Sequence, residues 1–189
     1  MKKILLLTIF SLSFCGTAYV GYSTSAEWKF PTLNDDFDKT DILIGYNHPF
    51  WSNDTGMSLS IGLNYSISPL VQKEIFGSYD IETYQLYIQW LYSFSENFST
   101  WISCGHVNGD DDNYWSDYFT NYTQMPINSD FNGGISYGLG LHYTLSDSWG
   151  VGLGLSTSII EIEYGDGGNS TLKDDWDIDK STIFISYTF

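Results

Sequence analysis

GMSLSIGLNYSI, residues 56–67, carries a large apolar or aromatic side chain at every second position: Met57, Leu59, Ile61, Leu63, Tyr65 and Ile67. Between them lie Gly56, Ser58, Ser60, Gly62, Asn64 and Ser66. A β-strand sends successive side chains to opposite faces. This stretch therefore reads as a strand with one wholly apolar face and one face of glycine, serine and asparagine. Twelve residues of such order exceed the roughly five or six of an ordinary strand.

The same alternation recurs along the chain and predicts eight strands. The first, 19–29, puts Val20, Tyr22, Thr24, Ala26 and Trp28 on one face, and Gly21, Ser23, Ser25, Glu27 and Lys29 on the other. The second, about 40–48, sets Ile42, Ile44 and Tyr46 against Asp41, Gly45 and Asn47. After 56–67 comes a strand at about 81–94, with Tyr84, Leu86, Ile88, Trp90, Tyr92 and Phe94 opposing Thr83, Gln85, Tyr87, Gln89, Leu91 and Ser93. A fifth, 98–107, turns Phe98, Thr100, Ile102 and Cys104 outward and Trp101, Ser103 and Gly105 inward. The sixth, 131–144, is as regular as 56–67, with Ile135, Tyr137, Leu139, Leu141 and Tyr143 on the apolar face. The seventh, 149–163, alternates cleanly until Ile160, where a bulge or the edge of the apolar layer is expected. The eighth, 180–189, places Tyr187, Ile185, Ile183 and Ser181 together.

Connections near 49–55, 95–97 and 145–148 are short. Those near 30–39, 68–80, 108–130 and 164–177 are longer and more acidic. Antiparallel strands then place all short turns and both termini at one end. This is the pattern of an all-β, eight-stranded antiparallel up-and-down transmembrane β-barrel: apolar outside, polar inside, closed so that no backbone group meets lipid unpaired. Glycine normally weakens a strand, but the inward face of a narrow barrel has little room. Aromatic belts complete the pattern. Tyr65, Tyr92, Phe94, Tyr143, Trp149, Tyr187 and Phe189 are expected toward the short-turn end, and Trp28, Tyr84 and Tyr137 toward the other. A soluble barrel or sandwich is the alternative, but it would have to build its core from the Gly/Ser face, which is poor in apolar area.

MKKILLLTIFSLSFCGTA, residues 1–18, has the basic start, apolar run and small-x-small end of a secretory signal peptide. The barrel domain is then 19–189, with cleavage after Ala26 as a second option. Cys15 raises a lipoprotein reading that Phe14, too large for that cleavage site, disfavours. Beyond the leader there is no window of 18 apolar residues to form a membrane helix. Removing Lys2 and Lys3 leaves five lysines, no arginine and all 23 acids, a formal net charge of −18. Such a surface repels nucleic acid. At 18% aromatic and 42% hydrophobic the chain is nonetheless no disordered acidic tail. Cys104, the sole cysteine past the leader, reads as a small buried or lipid-facing residue.

The strand count, the leader and the ending Tyr187-Thr188-Phe189 resemble small Gram-negative outer-membrane proteins, in style the OmpX-like group and the OmpA-like transmembrane domain. In that family a terminal aromatic preceded by apolar residues at alternate positions is the signal read by the barrel-assembly machinery. Phe189, Tyr187, Ile185 and Ile183 match it. The resemblance implies localisation in the bacterial outer membrane, contact with its lipids and lipopolysaccharide, and no cofactor.

Function is read from what the barrel displays. The acidic groups Asp35-Asp36-x-Asp38, Asp110-Asp111-Asp112 and Asp174-Asp175-x-Asp177-x-Asp179 form a hydrated rim that could attract divalent cations, but none has the spacing of a calcium loop. No metal site is assigned. The 108–130 segment carries Tyr114, Trp115, Tyr118, Phe119 and Tyr122, either to cap the barrel mouth or to meet a host or surface ligand. A lipid A-modifying enzyme would need a histidine beside a nucleophile at the outer leaflet. His48 and His142 fall at the periplasmic end, and His106, near the outer leaflet, has Ser103 on the opposite face. No catalytic residue is therefore assigned. Inward Asn64, Gln85, Gln89, Tyr87, Glu27 and Lys29 suggest a hydrogen-bonded lumen, with a Glu27–Lys29 contact. The reading is a non-enzymatic outer-membrane protein with a structural or adhesion-like role, a narrow ion or small-solute channel being the alternative and an enzyme the least favoured.

Overall fold

The computed structural model describes residues 16–30, 35–72, 77–110, 128–165 and 171–189. The described chain is strand and turn: β1 (Thr17–Phe30), β2 (Asp35–Lys39), β3 (Ile42–Ser52), β4 (Met57–Gln72), β5 (Gly77–Ser93), β6 (Phe98–Asp110), β7 (Asn128–Thr144), β8 (Trp149–Gly165) and β9 (Thr171–Thr188). β2 and β3 pair in succession with β1 and act as one wall strand. Each wall strand is antiparallel to the next, and β9 returns to pair with β1 from Thr17↔Thr188 to Lys29↔Asp177. Eight wall strands thus close into a ring of hydrogen bonds, with no crossover.

The expected apolar face points outward. Leu63, Leu139 and Leu153 are 58%, 55% and 56% exposed, and Val20, Ile44, Ile88, Ile102 and Ile185 share their side. Ser60, Ser66, Gln89, Ser136 and Ser186 are buried inside. Trp101 faces the interior, and Cys104 lies exposed on the outside, as the alternation required.

Most of the large inward rings of the lower interior, and Leu43 with them, stand opposite a glycine. Tyr19 faces Gly45, Leu43 faces Gly21, Tyr87 is flanked by Gly62 and Gly105, Trp101 faces Gly140, and Phe184 faces Gly152. A Cβ on Gly62 would stand 2.2 Å from Tyr87 Cζ, and one on Gly140 2.5 Å from Trp101 Cζ2. The inward glycines are thus the steric complement of inward rings in a narrow ring of strands.

Three expectations are corrected. Thr24 forms a bulge in β1 between Ser23 and Ser25, reversing the alternation beyond it. Ala26 therefore faces in and is fully buried, while Glu27 pairs with Asp179 on the outer side and leaves the lumen; the side chain of Lys29, expected to meet Glu27, lies outside what the structure describes. Second, of the two alternatives at Ile160 the bulge is not formed: the alternation of β8 continues to Gly165 while its faces change character there, and the irregularity lies in β7 between Phe131 and Gly133, the latter at φ +81°. Third, Tyr65 packs against Tyr84 in a tilted ring pair, centroids 5.1 Å apart, toward the long-loop end, not near the short turns.

Strands also run further than expected. Residues 35–39, 68–72, 77–80, 128–130 and 171–179, expected in connections, continue the wall. The leader residues 1–15, the aromatic set of 114–122, and Asp111 and Asp112 lie outside the described residues.

Candidate functional site

β8 and β9 carry the polarity of the whole molecule. The outward side of β8 reads Val151, Leu153, Leu155, Thr157 and Ile159, then Glu161 and Glu163. Its inward side reads Gly150, Gly152, Gly154, Ser156 and Ser158, then Ile160 and Ile162. On β9, outward Tyr187, Ile185 and Ile183 give way to Ser181, Asp179, Asp177 and Asp175, while inward Ser186, Phe184, Thr182 and Lys180 give way to Ile178 and Trp176. Both faces invert on each strand over one zone: the outer face turns polar from Ser181 on β9, opposite Leu155, and from Glu161 on β8, opposite Asp175. Below it the outside is apolar and the inside polar; above it the reverse holds. From Trp149 to Ile159 the apolar face spans 11 residues, within the roughly 9–11 that a tilted strand needs to cross a bilayer.

Above the inversion lies a small apolar core. Trp176, Ile160, Ile162 and Ile178 are at most 1% exposed, and Ala26 and Val107 are buried with them. The β7 bulge brings Phe131 in to meet Trp176 edge-on at 5.7 Å, and turns Asn132 out. Outside, Lys173 donates to Glu161 at 2.7 Å and lies 3.5 Å from Glu163, while Asn132 donates to both carboxylates at 3.0 Å. The bond from Lys173, then that from Asn132, holds the Glu161 carboxyl below its ordinary range; the same bond raises Lys173.

At the inversion level the interior holds an ion pair absent from the sequence reading. Asp41, fully buried in the break between β2 and β3, pairs with Lys180. Ser68 donates to Asp41 Oδ1 at 2.5 Å, Lys180 donates to Ser66 at 3.0 Å, and Ser66 meets Thr83 at 2.6 Å. Below, the lumen is laced with amides and phenols. Tyr19 bonds Tyr87 at 2.7 Å, Tyr87 donates to Asn47 at 2.5 Å, and Asn47 donates to Gln89 at 2.9 Å. Asn64 donates to Gln85 at 2.6 Å, and Gln85 to Ser136 at 2.8 Å. The cavity left among these groups, about 200 Å³, reaches down to Thr17, His142 and Ser186. Polar groups so buried need such partners.

The three histidines do not converge. His142 Nε2 sits 2.8 Å from Ser186 Oγ inside the ring, stacked on Phe184. That pairing was not in the sequence reading, because Ser186 lies 44 positions away. His48 accompanies Tyr46 at 3.4 Å, and His106 is exposed on the outer face. Among the described residues, no group of three or more His, Cys, Asp or Glu side chains is placed to hold a metal ion.

A closed eight-stranded antiparallel sheet of this kind is structurally similar to the small outer-membrane β-barrel proteins. Ail, the attachment invasion locus protein of Yersinia pestis, superposes with a TM-score of 0.57 at 12% identity, over 94% of this chain and 99% of that one. Its complex with the heparin analogue sucrose octasulfate gives 0.57 at 10% identity, over 93% and 98%. Neisserial surface protein A gives 0.58 at 10% identity, over 92% and 97%. No protein-family model matches the chain, and no curated protein matches its sequence. Likeness at this identity establishes the fold alone.

Proposed function

We propose that the protein is an outer-membrane β-barrel of the OmpX-like or OmpA-like kind, non-enzymatic and non-conducting, that displays an acidic sheet extension at the cell surface. The observation that carries this is the joint inversion of both faces on β8 and β9: one layer calls for hydrocarbon outside, the next for water. The lumen below the inversion is hydrogen-bonded, and the Asp41–Lys180 layer and the Ile160/Trp176 core lie across its outer end. That filling supports a plug rather than a pore.

From the inversion zone upward, Asp175, Asp177, Asp179, Glu161 and Glu163 face outward with Lys173 among them. Such a surface suits a basic partner. Ail has been crystallised with a polyanionic heparin analogue; the charge here would repel a polyanion, so an adhesion-like role for this chain requires a partner of the opposite sign. Contact of the barrel with lipopolysaccharide, and assembly through the strand ending in Phe189, belong to the same reading.

Cell fractionation with a gel shift between unheated and boiled samples tests the barrel and its membrane together. The protein is expected in the outer-membrane fraction with a heat-modifiable band. Binding to polylysine-coated but not heparin-coated surfaces, weakened by salt, tests the surface role.

A further inference from the structure

β1 begins ahead of the boundary that the leader suggests. Thr17 pairs with Asn47 on one side and Thr188 on the other, and Ala18 pairs with Tyr46 and Tyr187. Thr17 Oγ1 lies 3.0 Å from Thr188 Oγ1, and the Phe189 N–H donates to the Gly16 carbonyl at 3.0 Å. Gly16 is buried, and a Cβ there would stand 2.2 Å from the Tyr46 hydroxyl oxygen, so the position favours glycine. A cut after Ala18 would remove these three residues where β1 closes the ring between β3 and β9. The neighbouring backbone groups would lose partners that lipid cannot replace.

We propose that the Cys15–Gly16 peptide bond is the processing site, so that the mature chain starts at Gly16; this rests on the export reading above. Ser13-Phe14-Cys15 supplies the small-x-small end that a leader peptidase accepts, directly after the apolar run Ile4–Phe10 and a short polar-leaning stretch. Hydrolysis adds one water across that amide. Cys15 leaves as the carboxylate end of the leader, and Gly16 becomes a free amine. Gly16-Thr17-Ala18, which also fits the small-x-small pattern, is then a piece of barrel wall, and Cys104 becomes the sole cysteine of the mature chain.

Intact mass and amino-terminal sequencing of the membrane-extracted protein are expected to give Gly16 first. Ala18→Leu, on the outward face beside Val20, is expected to leave processing unchanged, whereas Cys15→Leu accumulates the precursor. A mature chain that starts at Tyr19, or at an acylated Cys15, overturns the site and leaves the export reading standing. So does a block by Ala18→Leu, or normal processing of Cys15→Leu. A membrane-free chain that keeps Met1 overturns both.

Discussion

The ring of Tyr87 occupies the space that a side chain at position 62 would need: a Cβ on Gly62 would stand 2.2 Å from Tyr87 Cζ and 2.2 Å from Asn47 Oδ1. Tyr87 cannot swing aside freely, because its hydroxyl is held by Tyr19 and Asn47. Gly62→Val should therefore overpack the lumen and destabilise by about 1–3 kcal/mol. Tyr87→Leu in the same chain should recover part of that loss. The heat-modification midpoint of the single and double variants measures both; equal, additive losses would mean that the two positions do not share space.

Asp41 and Lys180 form a buried pair, and removing one partner strands the other. Asp41→Asn is expected to cost about 3–5 kcal/mol, the range for an uncompensated buried charge. Asp41→Asn with Lys180→Met should lie well above the single variant in stability. Denaturant titration in micelles reads the difference.

Acid should loosen the extension above the inversion level before it touches the rest. The Glu161 carboxyl is lowered from its ordinary 4.5. A lowered carboxyl stabilises above its unfolded value and loses that contribution as pH falls through its folded value. The raised Lys173 works in the other direction, contributing below its ordinary 10.5 and losing it only as pH rises beyond that. Both groups are solvent-exposed, so the effect is local and modest. Amide exchange in 160–165 and 171–176 should accelerate as pH drops below about 4.5, after correction for the intrinsic pH dependence of exchange, and Lys173→Met should flatten that response.

Closure of the lumen should appear as electrical silence. Planar bilayers holding the wild-type chain should show no unitary steps. Trp176→Ala removes the largest buried side chain of the outer core and should cost about 3–5 kcal/mol. The lumen should still not conduct until Asp41 and Lys180 are both changed to alanine as well. Steady wild-type conductance would contradict a plugged interior.

Strand alternation was legible wherever the outer face is apolar, because a bilayer imposes one strict period over its whole thickness. It was not legible above that level. At Ile160 the period continues while the chemistry of the faces exchanges, so 171–179, rich in aspartate, looked like a connection although it is β9. Bulges were hidden for a different reason. Thr24 is polar and fits either face, so only its partner strand reveals the extra residue; Gly133-Gly134 was the one local hint in β7. The Asp41–Lys180 pair joins positions far apart in the chain, and nothing short of the closed ring brings them together. Trp101, by contrast, was readable, because parity alone sent it inward toward glycines.

Cys104 offers the most direct test, since it projects from the outer face between Ile102 and His106, with Ile88 and Tyr137 as cross-strand neighbours. A fluorophore on Cys104 of the protein in liposomes should be quenched by nitroxides on acyl chains and spared by aqueous iodide. The same fluorophore on Ser103→Cys in a Cys104→Ser chain should lose the acyl-chain quenching. Iodide reaching Cys104 while acyl-chain nitroxides do not would place water against the apolar face and contradict a membrane-spanning barrel.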